Sequence, residues 1–102
     1  MAAVSRTVTR EVLTRTWTCD SNKGSDGFNK VTVRIAIPDG MKYISHSVEI
    51  VDEEGDVEVS PGVLDREGKY PEVVATIKAR RRVLWRKSEA TAVINVVVER
   101  LS

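Results

Sequence analysis

A two-residue alternation of apolar with polar or small side chains is the feature that most limits how this chain can fold. It is clearest in residues 31–37, where the apolar positions are Val31, Val33, Ile35 and Ile37. Segments 44–50 and 73–79 repeat the pattern. Side chains two residues apart share one face of a β-strand, so each segment predicts a strand with one buried face.

Clusters of turn-forming residues separate these segments. Residues 20–27 (DSNKGSDG) predict a loop, and residues 38–40 (PDG) predict a turn in which glycine tolerates a positive φ. Residues 53–56 and 66–69 each contain a glycine among charged side chains and predict two hairpin tips. Proline in the Ser-Pro-Gly sequence at 60–62 favours an edge strand, because proline donates no ladder hydrogen bond.

The segment from 88 to 101 fits two templates. Its apolar residues match helical spacing, and Ser88 is a suitable helix cap. They match strand spacing equally well, and the many β-branched side chains favour a central strand. With a strand here, residues 73–85 and 90–101 are expected to form one long hairpin, returning through 86–89.

The predicted fold is therefore all-β: an antiparallel β-sandwich or Greek-key-like barrel of about seven strands in a single domain, 1–102. The alternative is an α+β fold with a C-terminal helix at 88–101. Segment 4–18 is rich in threonine and valine but interrupted by arginine, which predicts an edge strand or a partly exposed one.

Charge is distributed unevenly along the chain, although the net charge is only +1. Residues 49–72 contain nine acids and two bases, whereas residues 73–102 contain seven bases and two acids. An acidic middle followed by a basic segment indicates two surfaces of opposite sign.

The basic segment supplies the candidate binding residues. On an unbroken strand, Lys78, Arg80, Arg82 and Arg86 project from one face, and Trp85 points the other way. Such a row suits a protein partner or pairing with the acidic turns. Scarce interleaved aromatic residues and a near-neutral net charge weigh against nucleic acid.

No catalytic, cofactor or metal site is expected from the motifs. We expect one end of the domain to bring together Asp20, Asp26 and the acidic turn at 52–56. Such carboxylates could bind calcium, but the pattern of the helical calcium-binding loop is missing, so a calcium site is not favoured. His46 lies on an apolar strand face, which predicts a hydrogen-bonded structural histidine, and nothing brings it to Cys19.

The sequence thus predicts a non-enzymatic binding or assembly module that contacts a protein partner or itself, with self-association through charged hairpins as one form. The alternative is a ligand-binding sandwich for calcium, glycan, anionic lipid or nucleic acid. One cysteine, no apolar signal core and no apolar run of membrane-spanning length predict a soluble cytoplasmic protein without cofactor.

Overall fold

Seven strands account for almost all of the regular structure. The structure, a computed structural model, describes residues 7–23, 27–81 and 87–101. The strands are β1 (Val8–Asp20), β2 (Phe28–Ala36), β3 (Lys42–Glu54), β4 (Asp56–Val59), β5 (Val63–Asp65), β6 (Glu72–Arg80) and β7 (Glu89–Leu101). Within these described ranges the only helical element is a three-residue 3-10 helix, Ser21–Lys23. The all-β prediction is confirmed, and the α+β alternative is wrong because 89–101 is a strand.

The strands form two antiparallel sheets. Sheet A has the order β1-β7-β3, and sheet B has the order β2-β6-β4 with β5 also paired to β6. The predicted long hairpin of 73–85 with 90–101 is wrong, because β6 and β7 are the central strands of different sheets. Each has a paired strand on both sides, so each satisfies both of its backbone edges without the other.

The predicted turns connect the sheets in two ways. Residues 66–69 lie between β5 and β6, which pair with each other, so this hairpin tip is confirmed. Residues 53–56 instead carry the chain from β3 in sheet A to β4 in sheet B, so this predicted hairpin tip is a corner. Gly55 at the corner has a φ of 80°, in the left-handed region that favours glycine. Residues 60–62 separate β4 from β5 along an edge, as proline predicts.

The core lies between the two inner faces, and every second residue of the central strands is fully buried there. Trp17 on β1 is buried opposite Ala92, a small residue that leaves room for the indole. Its Nε1–H donates to the carbonyl oxygen of Val31 at 3.2 Å and so ties β1 to β2. The buried apolar residues are Trp17, Cys19, Val33, Ile35, Ile37, Val73, Ala75, Ile77, Ala79, Ala90, Ala92, Ile94, Val96 and Val98.

Two buried serines join the strands at the end of the sandwich where β1 stops and β7 begins. The Ser21 N–H donates to the Ser88 carbonyl oxygen at 2.8 Å, and the Ser88 N–H donates to Ser21 Oγ at 2.9 Å. Ser88 Oγ donates to the carbonyl oxygen of Arg80 and accepts the N–H of Asp56. The Ser88 side chain therefore links the ends of β4, β6 and β7 in a region where unpaired polar groups are costly. No helix in the described ranges is long and apolar enough to cross a membrane.

Candidate functional site

Part of the predicted basic row lies on the outer face of sheet B. Lys78 and Arg80 project from β6 between the buried residues of that strand. The register places Lys30 opposite Lys78 and Phe28 opposite Arg80, whose guanidinium carbon is 5.5 Å from the ring centre. These four residues form what we call the basic cluster. The other three predicted binding residues, Arg82, Trp85 and Arg86, lie outside the described residues.

The acidic strand β4 lies directly beside the basic cluster. Asp56 is opposite Arg80, and Glu58 is opposite Lys78, on the other side of β6 from β2. Opposite charges at facing positions of an antiparallel pair are mutually stabilising. Part of the acidic middle and part of the basic segment of the sequence are therefore neighbours in one sheet. Whether the cluster binds a partner stays a prediction.

The acidic turns do meet at one end of the domain, as predicted. Asp20 and Glu54 lie on either side of Glu89, in one row across sheet A. The Lys87 ammonium is 3.4 Å from Glu89 and 3.9 Å from Asp20, so a side-chain cation already balances two of these carboxylates. In the described ranges no three His, Cys, Asp or Glu side chains are grouped to hold a metal ion. Asp26 lies outside those ranges.

His46 has both ring nitrogens engaged. Tyr43 Oη donates to Nδ1 at 2.6 Å, and Nε2–H donates to the Gly62 carbonyl oxygen at 3.1 Å in the neutral tautomer. This matches the predicted structural histidine. Cys19 lies beside Ala90, and burial raises the pKa of its thiol. His46 pairs with Val96, six residues further along β7, which separates the two side chains by about 20 Å.

The backbone edges of the two sheets differ in how they are protected. Edge strand β3 has register shifts between Tyr43 and Ser45 and between Ile50 and Asp52, which disrupt pairing. The β4–β5 edge is interrupted by Pro61. Strand β2 has its Lys30 N–H capped by the side chain of Asn29 at 2.9 Å.

Strand β1 carries none of these protections. It pairs with β7 in a single register over thirteen residues, without proline, glycine or bulge. Its exposed side chains include Val8 and Val12, which are 48% and 58% exposed. A long, regular, partly apolar edge is a template for pairing with another strand. Segment 4–18 was predicted to be an edge strand or a partly exposed one, and its described residues, 7–18, do lie at the edge of sheet A.

The hydrogen-bond ladder fixes which β1 backbone groups point outward. The Ser21 N–H to Ser88 O bond continues the β1–β7 register, so odd-numbered residues of β1 face β7. The even-numbered residues, among them Val12, Thr14 and Thr16, direct their N–H and C=O groups away from β7. The outward groups therefore recur every second residue along the edge.

The chain was compared with known proteins in three ways. No protein-family model matches it. Neither the curated proteins nor the solved structures contain a significant match. A functional role has therefore to be argued from the geometry of this chain alone.

Proposed function

We propose that this chain is a non-enzymatic assembly module that binds a second copy of itself by strand pairing along β1. The single observation that carries the proposal is the regular, thirteen-residue β1 edge, which has no bulge, proline or side-chain cap where the other edges are bulged, interrupted or capped. Strand addition to such an edge gains main-chain hydrogen bonds and covers the exposed apolar side chains.

The charged strands are a weaker basis for self-association than the edge. Because β4 and β6 are neighbours in sheet B, Glu58 faces Lys78 within one molecule. Charged side chains that already face an opposite charge within one molecule gain less from contact with a second copy. The backbone edge of β1 differs in this respect, because β1 is the last strand of sheet A and its outward N–H and C=O groups have no neighbouring strand within the described sheet.

Light scattering after size exclusion tests the proposal. The wild-type chain is expected to give twice the 11.3 kDa chain mass at high protein concentration. Thr16→Pro removes an outward N–H and no β7 ladder bond, so it is expected to yield a folded monomer. Thr16→Ala is the matched control, because it loses the same side chain but keeps the N–H. A wild-type monomer at all concentrations, or dimers of Thr16→Pro as tight as those of Thr16→Ala, would contradict the proposal.

A second candidate function is recognition of an anionic partner by the basic cluster. It is favoured by the stacking of Arg80 on Phe28 with Lys30 and Lys78 alongside, since arginine and aromatic side chains together suit phosphate and base contacts. A single-stranded oligonucleotide is the test ligand. Binding is expected to weaken with salt and on Arg80→Ala, and to be unaffected by Arg10→Ala on the other sheet. Equal effects of the two substitutions would reject this candidate.

A further inference from the structure

The alternation of backbone groups along β1 restricts how two copies can pair. When a strand pairs with its own copy in the antiparallel sense, each residue lies opposite its mirror position about a twofold axis. The even-numbered residues, whose N–H and C=O groups point away from β7, must lie opposite even-numbered residues of the second copy. Paired residue numbers therefore add up to an even number, so the twofold axis passes through a residue and not between two residues. Only a short series of registers meets this condition.

Side-chain charge separates these registers. An axis at Glu11 or at Arg15 sets that residue against its own copy, so two like charges face each other. An axis at Thr14 places Arg15 opposite Leu13, and an axis at Val12 places Glu11 opposite Leu13. Each of these arrangements puts a charged side chain against an apolar one and forms no ion pair.

An axis at Leu13 gives the complementary arrangement. It sets Glu11 of each copy against Arg15 of the other, so two ion pairs flank a central pair of leucines. Odd-numbered residues occupy the non-hydrogen-bonded positions of the new ladder, where facing side chains approach most closely. Val12 and Thr14 then form the hydrogen-bonded pairs on either side of the axis.

The position of β2 leaves this part of β1 accessible. Trp17 reaches the Val31 carbonyl oxygen and Arg15 Nη1 reaches the Arg34 carbonyl oxygen at 3.1 Å, so the two strands run in opposite directions at these levels. By this alignment β2 ends near the level of Leu13. Val8–Val12 extends beyond it. Arg15 uses one of its five N–H donors on β2, which leaves others for a carboxylate.

We propose that two copies pair antiparallel along β1 about a twofold axis at Leu13, with Glu11 of each copy against Arg15 of the other. The inference rests on the proposed function and adds the identity of the contacts. It makes sheet A continuous across the dimer, in the order β3-β7-β1 followed by β1-β7-β3 of the second copy. An isologous contact of this kind closes at two copies and does not propagate into a fibre.

Charge reversal tests the ion pairs. Glu11→Arg and Arg15→Glu each turn two attractive contacts into repulsive ones, and each is expected to weaken dimerisation at least about tenfold. The double variant restores opposite charges and is expected to recover most of the wild-type affinity. Arg10→Glu is the matched control, because residue 10 lies opposite Thr16 and its reversal changes no ion pair. Failure of the double variant to recover affinity would overturn the Leu13 register.

Cysteine cross-linking tests the axis without relying on affinity. In a Cys19→Ala background, Leu13→Cys places two thiols opposite each other at the axis, at a spacing that a disulfide can span. Val12→Cys and Thr14→Cys are the controls. Each would cross-link fastest only if the twofold axis lay at that residue and not at Leu13. Dimers that cross-link fastest through Val12→Cys or Thr14→Cys would overturn the register while leaving the proposed function standing. A chain that stays monomeric in light scattering would remove both.

Discussion

Substituting the glycine at the corner between the two sheets should destabilise the protein far more than substituting a glycine in an open turn. Gly55 and Gly40 both have a φ of 80°, so alanine carries the same backbone penalty at either position. A Cβ at Gly40 meets nothing within 4 Å. A Cβ at Gly55 overlaps Ser88 Oγ and lies 3.0 Å from the Cα and Cβ of Ser88. The comparison therefore isolates the effect of crowding Ser88.

The two losses can be estimated separately. A left-handed alanine costs about 1–2 kcal/mol, partly offset by about 0.4–1 kcal/mol from the restricted unfolded chain, which leaves about 1 kcal/mol for Gly40→Ala. Gly55→Ala also displaces the buried Ser88, whose hydroxyl bonds the Arg80 carbonyl and the Asp56 N–H. Leaving buried partners unsatisfied costs about 1–3 kcal/mol each, so the total loss is expected to reach about 3 kcal/mol or more.

Thermal unfolding followed by circular dichroism measures both losses. At about 4–8 °C per kcal/mol for a domain of this size, Gly40→Ala should lower Tm by roughly 5 °C and Gly55→Ala by roughly 15 °C or more. Adding Ser88→Gly removes the obstructing side chain, so the Gly55→Ala, Ser88→Gly double variant should lose less than the sum of the single losses. Equal Tm shifts for the two alanines, or strictly additive losses in the double variant, would refute the reasoning.

Three further predictions concern single side chains. Burial raises the pKa of the Cys19 thiol above the ordinary value of 9.0, so the folded protein keeps a proton that the unfolded chain releases. The free energy of unfolding should therefore fall as the pH rises above about 8.5, where the unfolded thiol ionises, and urea melts of Cys19→Ala should lack that fall. Glu72→Gln breaks a surface ion pair with Arg34 at 2.6 Å and should cost less than about 1 kcal/mol, so a loss above about 2 kcal/mol in urea melts would contradict it. Trp17→Phe keeps most of the buried ring but loses the bond to Val31, so it should cost about 1 kcal/mol against about 3–5 kcal/mol for Trp17→Ala; similar losses would show that the ring contributes little.

The strands were predictable because periodicity is a local property. The alternation of apolar residues in 31–37 and 73–79 reflects only that one face of each strand is buried. Both segments lie within strands of sheet B, apart from Ile37, which lies just beyond β2. The β-branched residues of 89–101 likewise decided strand over helix. The alternation in 44–50 was predicted less well, because the register shift after Tyr43 puts that tyrosine, and not Ile44, on the face of His46. A bulge changes the parity of a strand without a marker in the sequence.

Sheet membership and the candidate edge depended on long-range contacts. A hairpin within one sheet and a crossing between two sheets both consist of two strands and a short connection. The sequence of β6 and β7 therefore could not show whether these strands pair with each other or belong to different sheets. The predicted face of Lys78 and Arg80 followed from strand parity, but the facing residues Lys30 and Glu58 come from strands distant in sequence. The outward groups of β1 became assignable only with the Ser21–Ser88 bond.

The central positions of β6 and β7 affect the order in which this protein can fold on the ribosome. Among the strands that the structure describes, β1 and β3 pair only with β7, while β2, β4 and β5 pair only with β6. The first five strands therefore emerge with no partner among themselves, and neither sheet can close until its central strand has been synthesised. Chains dominated by such distant pairings fold slowly, and their unpaired strands are exposed to aggregation meanwhile. The strands of the nascent chain therefore stay unpaired until residues 72–80 have been synthesised.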